Sequence, residues 1–167
     1  MCAIVGMSGH VPEGRWGETY AILTALLQVS ECRGTDATGF AALTQPFGCS
    51  PYWWWYPWDA NLGCHVHDAA DMAAPMYSPL YAADGGTVEY AGWCDCGLGY
   101  YVKINHGNGF TSTYGHMADQ PIVQTGQAVS KGQEIGMVGS TGTSTGPHVH
   151  FMVELNGIPV DPFIYTG

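Results

Sequence analysis

From Met76 onward the chain reads as short apolar runs cut by Gly-containing turns. Gly86–Ala91, Gly99–Asn105 and Glu134–Val138 have the length and composition of strands. Asn108-Gly109 and Asn156-Gly157 each sit between apolar segments, the pattern of two-residue hairpin turns. Many short strands at close spacing predict a mainly β fold, a compact antiparallel sheet or partly closed barrel. The first 45 residues read differently. Residues 2–7 form a short apolar run, and Gly6, Gly9, Pro12 and Gly14 punctuate a loop. Trp16, Tyr20, Leu23 and Leu27 then recur at spacings of three and four, one stripe of a helix over Trp16–Val29. Residues 37–44 form a second candidate strand. The expected organisation is a strand–helix–strand unit over 1–45, an aromatic junction over 46–60 and a β-rich domain over 61–167.

Composition narrows the function. Glycine accounts for 24 of 167 residues, and charged residues for only 11%. No internal repeat is present. The net charge is −10, and the only cations are Arg15, Arg33, Lys103 and Lys131. Four scattered cations cannot track a phosphate backbone, so nucleic-acid binding is excluded as an expectation, and anionic lipid is disfavoured for the same reason. No apolar run has the length of a bilayer span, so no membrane insertion is expected. The start, MCAIVGMSGH, lacks the basic and long apolar regions of a secretory leader. A chain synthesised in the cytoplasm is expected. The cysteines at 2, 32, 49, 64, 94 and 96 allow 15 full pairings, and free thiols fit the absence of a leader. No pairing is assigned.

The densest chemistry lies in STGPHVHF (144–151). His148 and His150 are two apart, so on a strand they share a face about 6.5–7 Å apart. One imidazole can hold a metal while the other reaches a group bound there. A pair of histidines on a solvated strand face has the same spacing. His67 and Asp71 are four apart, and imidazole nitrogen and carboxylate oxygen are both good zinc ligands. With His150 they would make three protein ligands and leave a fourth position for water, the open arrangement of catalytic sites. An Asp-rich surface turn beside a chance histidine is the plainer alternative. His116, in Tyr114-Gly115-His116-Met117, says little alone.

Together the pieces say more. HDAADMAAP, YAADGGTVEYAGW, YYVKINHGNGF, YGHM, GSTGTSTGPHVHF and Val160-Asp161-Pro162 occur in that order. This run, from Asn61 to Tyr165, resembles the lysostaphin-type (LytM-like) zinc metalloendopeptidases that cut bacterial cell-wall peptides. The resemblance implies one zinc ion held by His67, Asp71 and His150, with His116 and His148 as the non-ligand active-site histidines. In the implied mechanism zinc activates its water and polarises the scissile carbonyl. His148 is expected to help deprotonate the water, and His116 to stabilise the oxyanion or pass a proton to the leaving amine; the two roles are exchangeable. One position departs from the family's His-x-Gly-x-Asp: Ala69 stands at the glycine. A methyl group there would strain a turn that needs positive φ. His65, two residues before His67, is the alternative ligand, though the spacing to Asp71 favours His67. His10 and His106 have no partner in the motif and are read as non-catalytic.

Cys94-x-Cys96 is too tight for a zinc ribbon, and a loop, with or without a disulfide, is the better reading. Cys64 lies close to the expected ligands. Trp53, Trp54, Trp55, Tyr56 and Trp58 suit either a stacking platform at a cleft entrance or a packing seam, the commoner use of tryptophan.

Residues 1–43 are similar to the opening of class II glutamine amidotransferases, with Cys2 at the nucleophile's position and Arg33-Gly34-Thr35-Asp36 in the pattern. The resemblance implies loss of Met1 and a nucleophilic Cys2 assisted by its own amino group. The pattern stops near Leu43, and Ala3 replaces its glycine, so that activity is not expected; a buried thiol on a short strand is.

The overall expectation is a peptidoglycan hydrolase, a zinc endopeptidase cleaving peptide stems or cross-bridges. The alternative is a non-catalytic wall-binding or virion structural module on the same fold. The absent leader suggests a bacteriophage or prophage setting, an endolysin or a virion-associated hydrolase, with residues 1–60 docking on other virion or tail proteins.

Overall fold

The strand His148–Leu155 alternates cleanly. Val149, Phe151 and Val153 are buried, while His148, His150 and Met152 are only partly covered. That period of two is what a strand with one face on a core requires. The structure, a computed structural model, describes residues 42–50 and 56–165. In chain order the strands are β1 (Ala42–Gln45), β2 (Gly48–Cys49), β3 (Trp58–Asp59), β4 (Cys64–His67), β5 (Ala70–Ala73), β6 (Pro79–Tyr81), β7 (Gly86–Cys94), β8 (Gly99–Gly107), β9 (Phe110–Met117), β10 (Ala128–Val129), β11 (Glu134–Met137), β12 (His148–Leu155) and β13 (Ile158–Val160). A single helical turn, Pro162–Tyr165, follows.

The main sheet has the order β1-β5-β12-β9-β8-β7-β10, with β13 also on β12. Two small sheets, β11-β6 and β2-β4-β3, flank it. The pairings among the described strands are antiparallel. The fold is therefore the mainly β, antiparallel one that the strand pattern predicts. β7, β8 and β11 fall where the apolar runs place strands. Both Asn-Gly pairs make hairpins: Asn108 (φ 52°) with Gly109 (φ 83°) joins β8 to β9, and Asn156 (φ 53°) with Gly157 (φ 77°) joins β12 to β13. Positive φ at both central positions matches the twist of the flanking strands.

One sheet face carries the core, built around Val88, Val102, Ile104, Tyr114, Phe151 and Val153. β6 and β11 add Leu80 and Ile135 to it. A buried polar chain runs beneath: the Ala83 amide donates to the Tyr114 hydroxyl (2.7 Å), and the Ser112 hydroxyl bridges Tyr114 (3.1 Å) and His106 Nε2 (2.7 Å). His106 Nδ1 donates to the Gly85 carbonyl at 2.8 Å, so this histidine is a structural one.

The opposite face carries His148, His150 and Gly115, and Asp71 stands across from His150 in the β5–β12 register. Residues 42–50 join this architecture, since β1 pairs with β5 and β2 with β4. The expected strand over 2–7, the helix over Trp16–Val29, Cys2, His10, Arg33–Asp36 and Trp53–Trp55 lie outside the described residues.

Among the described residues the cysteines are paired, Cys49 with Cys64 and Cys94 with Cys96. Free thiols at these positions are thus not what the structure holds. Cα separations of 5.6 and 5.2 Å fall within the span a disulfide bridges. Among the described residues no helix is long and apolar enough to cross a membrane.

Candidate metal centre

Three strands supply the cluster. His67 ends β4, Asp71 lies in β5 and His150 lies in β12, directly opposite Asp71. Their ligand atoms form a near-equilateral triangle. His67 Nε2 is 3.3 Å from Asp71 Oδ1 and 3.4 Å from His150 Nδ1, and the third side is 3.0 Å. Zinc bound tetrahedrally at about 2.0–2.1 Å places its ligands about 3.3–3.4 Å apart. The donor set of two imidazoles and a carboxylate is one zinc accepts, and it leaves a fourth vertex open. The residues thus fit a zinc ion.

The surroundings prepare these atoms. His67 is fully buried, and its Nδ1–H donates to the Pro46 carbonyl at 3.1 Å, which fixes the tautomer that turns Nε2 into the cluster. The Tyr56 ring lies 4.8 Å from the His67 ring. Burial works against a charged His67, but the hydrogen bond and charge of Asp71, with the Pro46 carbonyl, outweigh it and raise its pKa above 6.5. Burial also works against the Asp71 carboxylate, yet the bonds from His150 and His67 hold its pKa well below the usual carboxylate range. Asp71 thus offers the ionised oxygen that a cation would take.

His116 arrives by a device that strand alternation does not foresee. Gly115 faces the cluster side, so His116 should face the core beside Tyr114. Instead the β8–β9 register slips, two residue steps along β8 (from Tyr100 to Val102) matching three along β9 (from Met117 back to Tyr114). Such a bulge re-aims a side chain. His116 has φ 59°, and its ring lies 4.7 Å from that of His148 and 5.7 Å from that of His150. Its Nδ1–H donates to the Thr141 carbonyl at 2.8 Å. His148 Nδ1–H donates likewise to the Gly146 carbonyl at 2.8 Å, and its Nε2 lies 3.7 Å from Asp71 Oδ2. Burial, aided by the charges of His148 and His150, pushes the His116 pKa down to about 4, against the pull of the Thr141 carbonyl. At neutral pH His116 is uncharged with a bare Nε2.

The structure therefore brings His67, Asp71, His116, His148 and His150 together. His65 stands apart, with Nδ1 2.6 Å from the Tyr56 carbonyl and its ring edge-on to Trp58. Ala69 has no positive φ, and its methyl group is buried without the strain expected of it. Cys64 carries no free thiol. Sequence reasoning misses the carbonyls of Pro46, Thr141 and Gly146, because every residue has a carbonyl and only the fold selects these three.

Similarity to known proteins identifies the family. The model of peptidase family M23 matches residues 65–162. The chain belongs to peptidase family M23. The peptidoglycan DD-endopeptidase ShyC of Vibrio cholerae is 40% identical over 97 residues, 58% of this chain and 22% of ShyC. Among solved structures, the catalytic domain of lysostaphin from Staphylococcus simulans superposes with a TM-score of 0.61 at 29% identity, covering 76% of this chain and 91% of that domain. A point mutant of the catalytic domain of the prophage-encoded M23 protein EnpA from Enterococcus faecalis gives a TM-score of 0.63 at 31% identity, with 80% of this chain and 96% of that one covered. This M23 domain thus has the lysostaphin-like fold. The chain spans 20–33% of the length of the curated relatives it matches.

Proposed function

We propose that this M23 chain is a zinc-dependent endopeptidase that hydrolyses peptide stems or cross-bridges of peptidoglycan. One observation carries the reading: a three-ligand triangle of tetrahedral size faces two imidazoles whose Nδ1 atoms are both tied to carbonyls. His67, Asp71 and His150 are the proposed ligands. When bound, zinc supplies Lewis acidity to the peptide carbonyl and to the attacking water.

The chain's own residues do the rest. His116 is neutral with a free Nε2, and we assign it the water's proton and then its delivery to the leaving amine. His148 presents its Nε2 across the same cleft to orient the substrate carbonyl. Of the two exchangeable assignments, this one follows the burial of His116. The similarity to ShyC and lysostaphin supports a wall peptide as substrate. The similarity to EnpA supports a phage-borne setting, with residues 1–60 as the contact to virion proteins; detection of the protein in purified particles of its source phage tests that part.

The central test is release of free amines from purified peptidoglycan. The protein is assayed as purified, after chelation, and after zinc is restored. Activity lost and then recovered is expected. Folded, zinc-loaded protein that releases nothing from several wall types would overturn the enzyme reading and favour a wall-binding module.

A further inference from the structure

Two of the proposed ligands are gripped by a strap that precedes the family-matched stretch. That stretch begins at residue 65. Within residues 42–50, the Thr44 hydroxyl donates to the main-chain carbonyl of Asp71 at 3.1 Å, and Gln45 stands opposite Asp71 in the β1–β5 register. The Pro46 carbonyl accepts from His67 Nδ1, and Gly48 stands opposite His67 in the β2–β4 register. The strap thus reaches Asp71 through backbone and hydroxyl, and His67 through the one contact that sets its tautomer.

Its own hold is thin. β2 is two residues long, and β1 is an edge strand whose register slips between Leu43 and Gln45. Ala42, Leu43 and Thr44 are exposed. Short, exposed edge pairings open at low cost. The Ser50 amide donates to the His65 carbonyl at 2.8 Å, the Tyr56 hydroxyl donates to Gln45 Oε1 at 3.1 Å, and one link is covalent: Cys49, three residues after Pro46, is bonded to Cys64, three residues before His67. The bridge closes the two sides of one hydrogen bond, carbonyl on one arm and imidazole on the other.

We propose that the Cys49–Cys64 disulfide is a redox-sensitive positioning element for the metal ligand His67. This rests on the metallopeptidase reading above. A dithiol breaks the Sγ–Sγ bond, both cysteine sulfurs take up protons, and the dithiol is oxidised to its cyclic disulfide. The strap then loosens, the Pro46 carbonyl leaves His67, and the ring no longer has a preferred tautomer. Lost outer-shell partners weaken zinc sites by about 10–100-fold. Exchange with a small-molecule disulfide re-forms the Sγ–Sγ bond, releases two small thiols that carry away the protons, and tightens the site again.

The test uses the full chain and zinc itself, with a chromophoric chelator as competitor. Sheet content is followed by circular dichroism in the same samples. Wild type and Cys94→Ser/Cys96→Ser should lose zinc affinity by tenfold or more on dithiol treatment. Cys49→Ser/Cys64→Ser should show the weak affinity from the start, and dithiol should change nothing further. Nitrogen NMR of the His67 ring in metal-free protein supplies a readout independent of zinc: Nδ1 protonated in the oxidised chain, a tautomer mixture in Cys49→Ser/Cys64→Ser. Unchanged affinity and tautomer in that folded variant would overturn the proposal. So would loss of the sheet signal on reduction, since the bridge would then hold the fold and not the ligand. Failure of the oxidised chain to bind zinc counts against the metallopeptidase reading, and the tautomer then decides this one alone.

Discussion

Gly115→Ala should loosen the metal centre without unfolding the protein. Gly115 stands directly opposite His150 between β9 and β12. A Cβ at this position would lie 2.8 Å from Leu98 Cδ2 and 3.3 Å from His150 Cβ. Ordinary carbon contacts are about 3.5–4.0 Å. Leu98 must therefore retreat by about 0.7 Å or more, which the end of a flexible side chain can do by rotation. His150 has less freedom, because β12 is also paired on its far side, with Asp71 opposite the same residue. It must yield a few tenths of an ångström, and its Nδ1 moves with it, out of a triangle whose sides are 3.0–3.4 Å. Overpacking of this size costs roughly 1–2 kcal/mol of stability. Sites of this kind need placement within about 0.5 Å. Zinc affinity should fall about tenfold, read by chelator competition with the sheet signal intact. Gly115→Ala/Leu98→Ala separates the two contacts: it removes the Leu98 clash and leaves the His150 one. If that double variant regains wild-type affinity, the push on His150 is not the cause and the reasoning fails.

His150→Ala should abolish zinc binding and amine release together, whereas His116→Ala should keep zinc within about threefold and lose turnover; metal loss in the second variant would place His116 among the ligands. Tyr114 answers a question of pH. Burial pushes its hydroxyl up to about 12, against the hydrogen bonds from Ser112 and Ala83. Its folded pKa exceeds the unfolded value of about 10, so its stabilising effect is complete below pH 10 and declines as pH rises toward 12, by roughly 3 kcal/mol in all. Tyr114→Phe should cost about 1–3 kcal/mol at pH 8, by orphaning the Ala83 amide. The stability gap to wild type, from urea unfolding, should shrink between pH 10 and 12; a constant gap contradicts this. Gly142→Ala meets backbone on every side: φ is +72°, and the new Cβ would sit 2.2 Å from the Gly97 carbonyl and 2.5 Å from the Gly99 amide. A loss of at least ~2 kcal/mol is expected, a fall in Tm of about 4–8 °C, with His116 losing its fixed Thr141 partner.

Much of this is legible in the sequence, for local reasons. Asn108-Gly109 and Asn156-Gly157 announce their turns because positive φ at both positions is costly for most other residues. β12 is readable because its alternation of Val149, Phe151 and Val153 with His148 and His150 reports a one-sided core. The grouping of the five polar site residues comes from an ordered family resemblance, not from spacing alone. What stays hidden is non-local. The bulge at His116 depends on how β8 meets β9, and nothing in Tyr-Gly-His-Met specifies an extra residue. The Ala69 expectation fails because it infers a conformation from a motif, whereas the backbone there never enters the left-handed region. The pairing of Cys49 with Cys64 follows from β2 lying on β4, a contact between strands of two and four residues that carry too little pattern to be seen.

The placement of Asp71 on β5 and His150 on β12 has a consequence for when the site comes into being. The two are 79 residues apart in the chain, and adjacent only because those strands pair. Bringing such distant points together costs about 4 kcal/mol of loop entropy if the intervening chain is loose. β6 to β11 reduce that cost once they have formed, so the order of assembly runs from hairpins to sheet to cluster. A nascent chain still short of His148 has at most two of the three ligands. The hydrolytic chemistry proposed for the site is thereby tied to completion of the fold, and an ion that binds only the finished triangle draws that fold to completion.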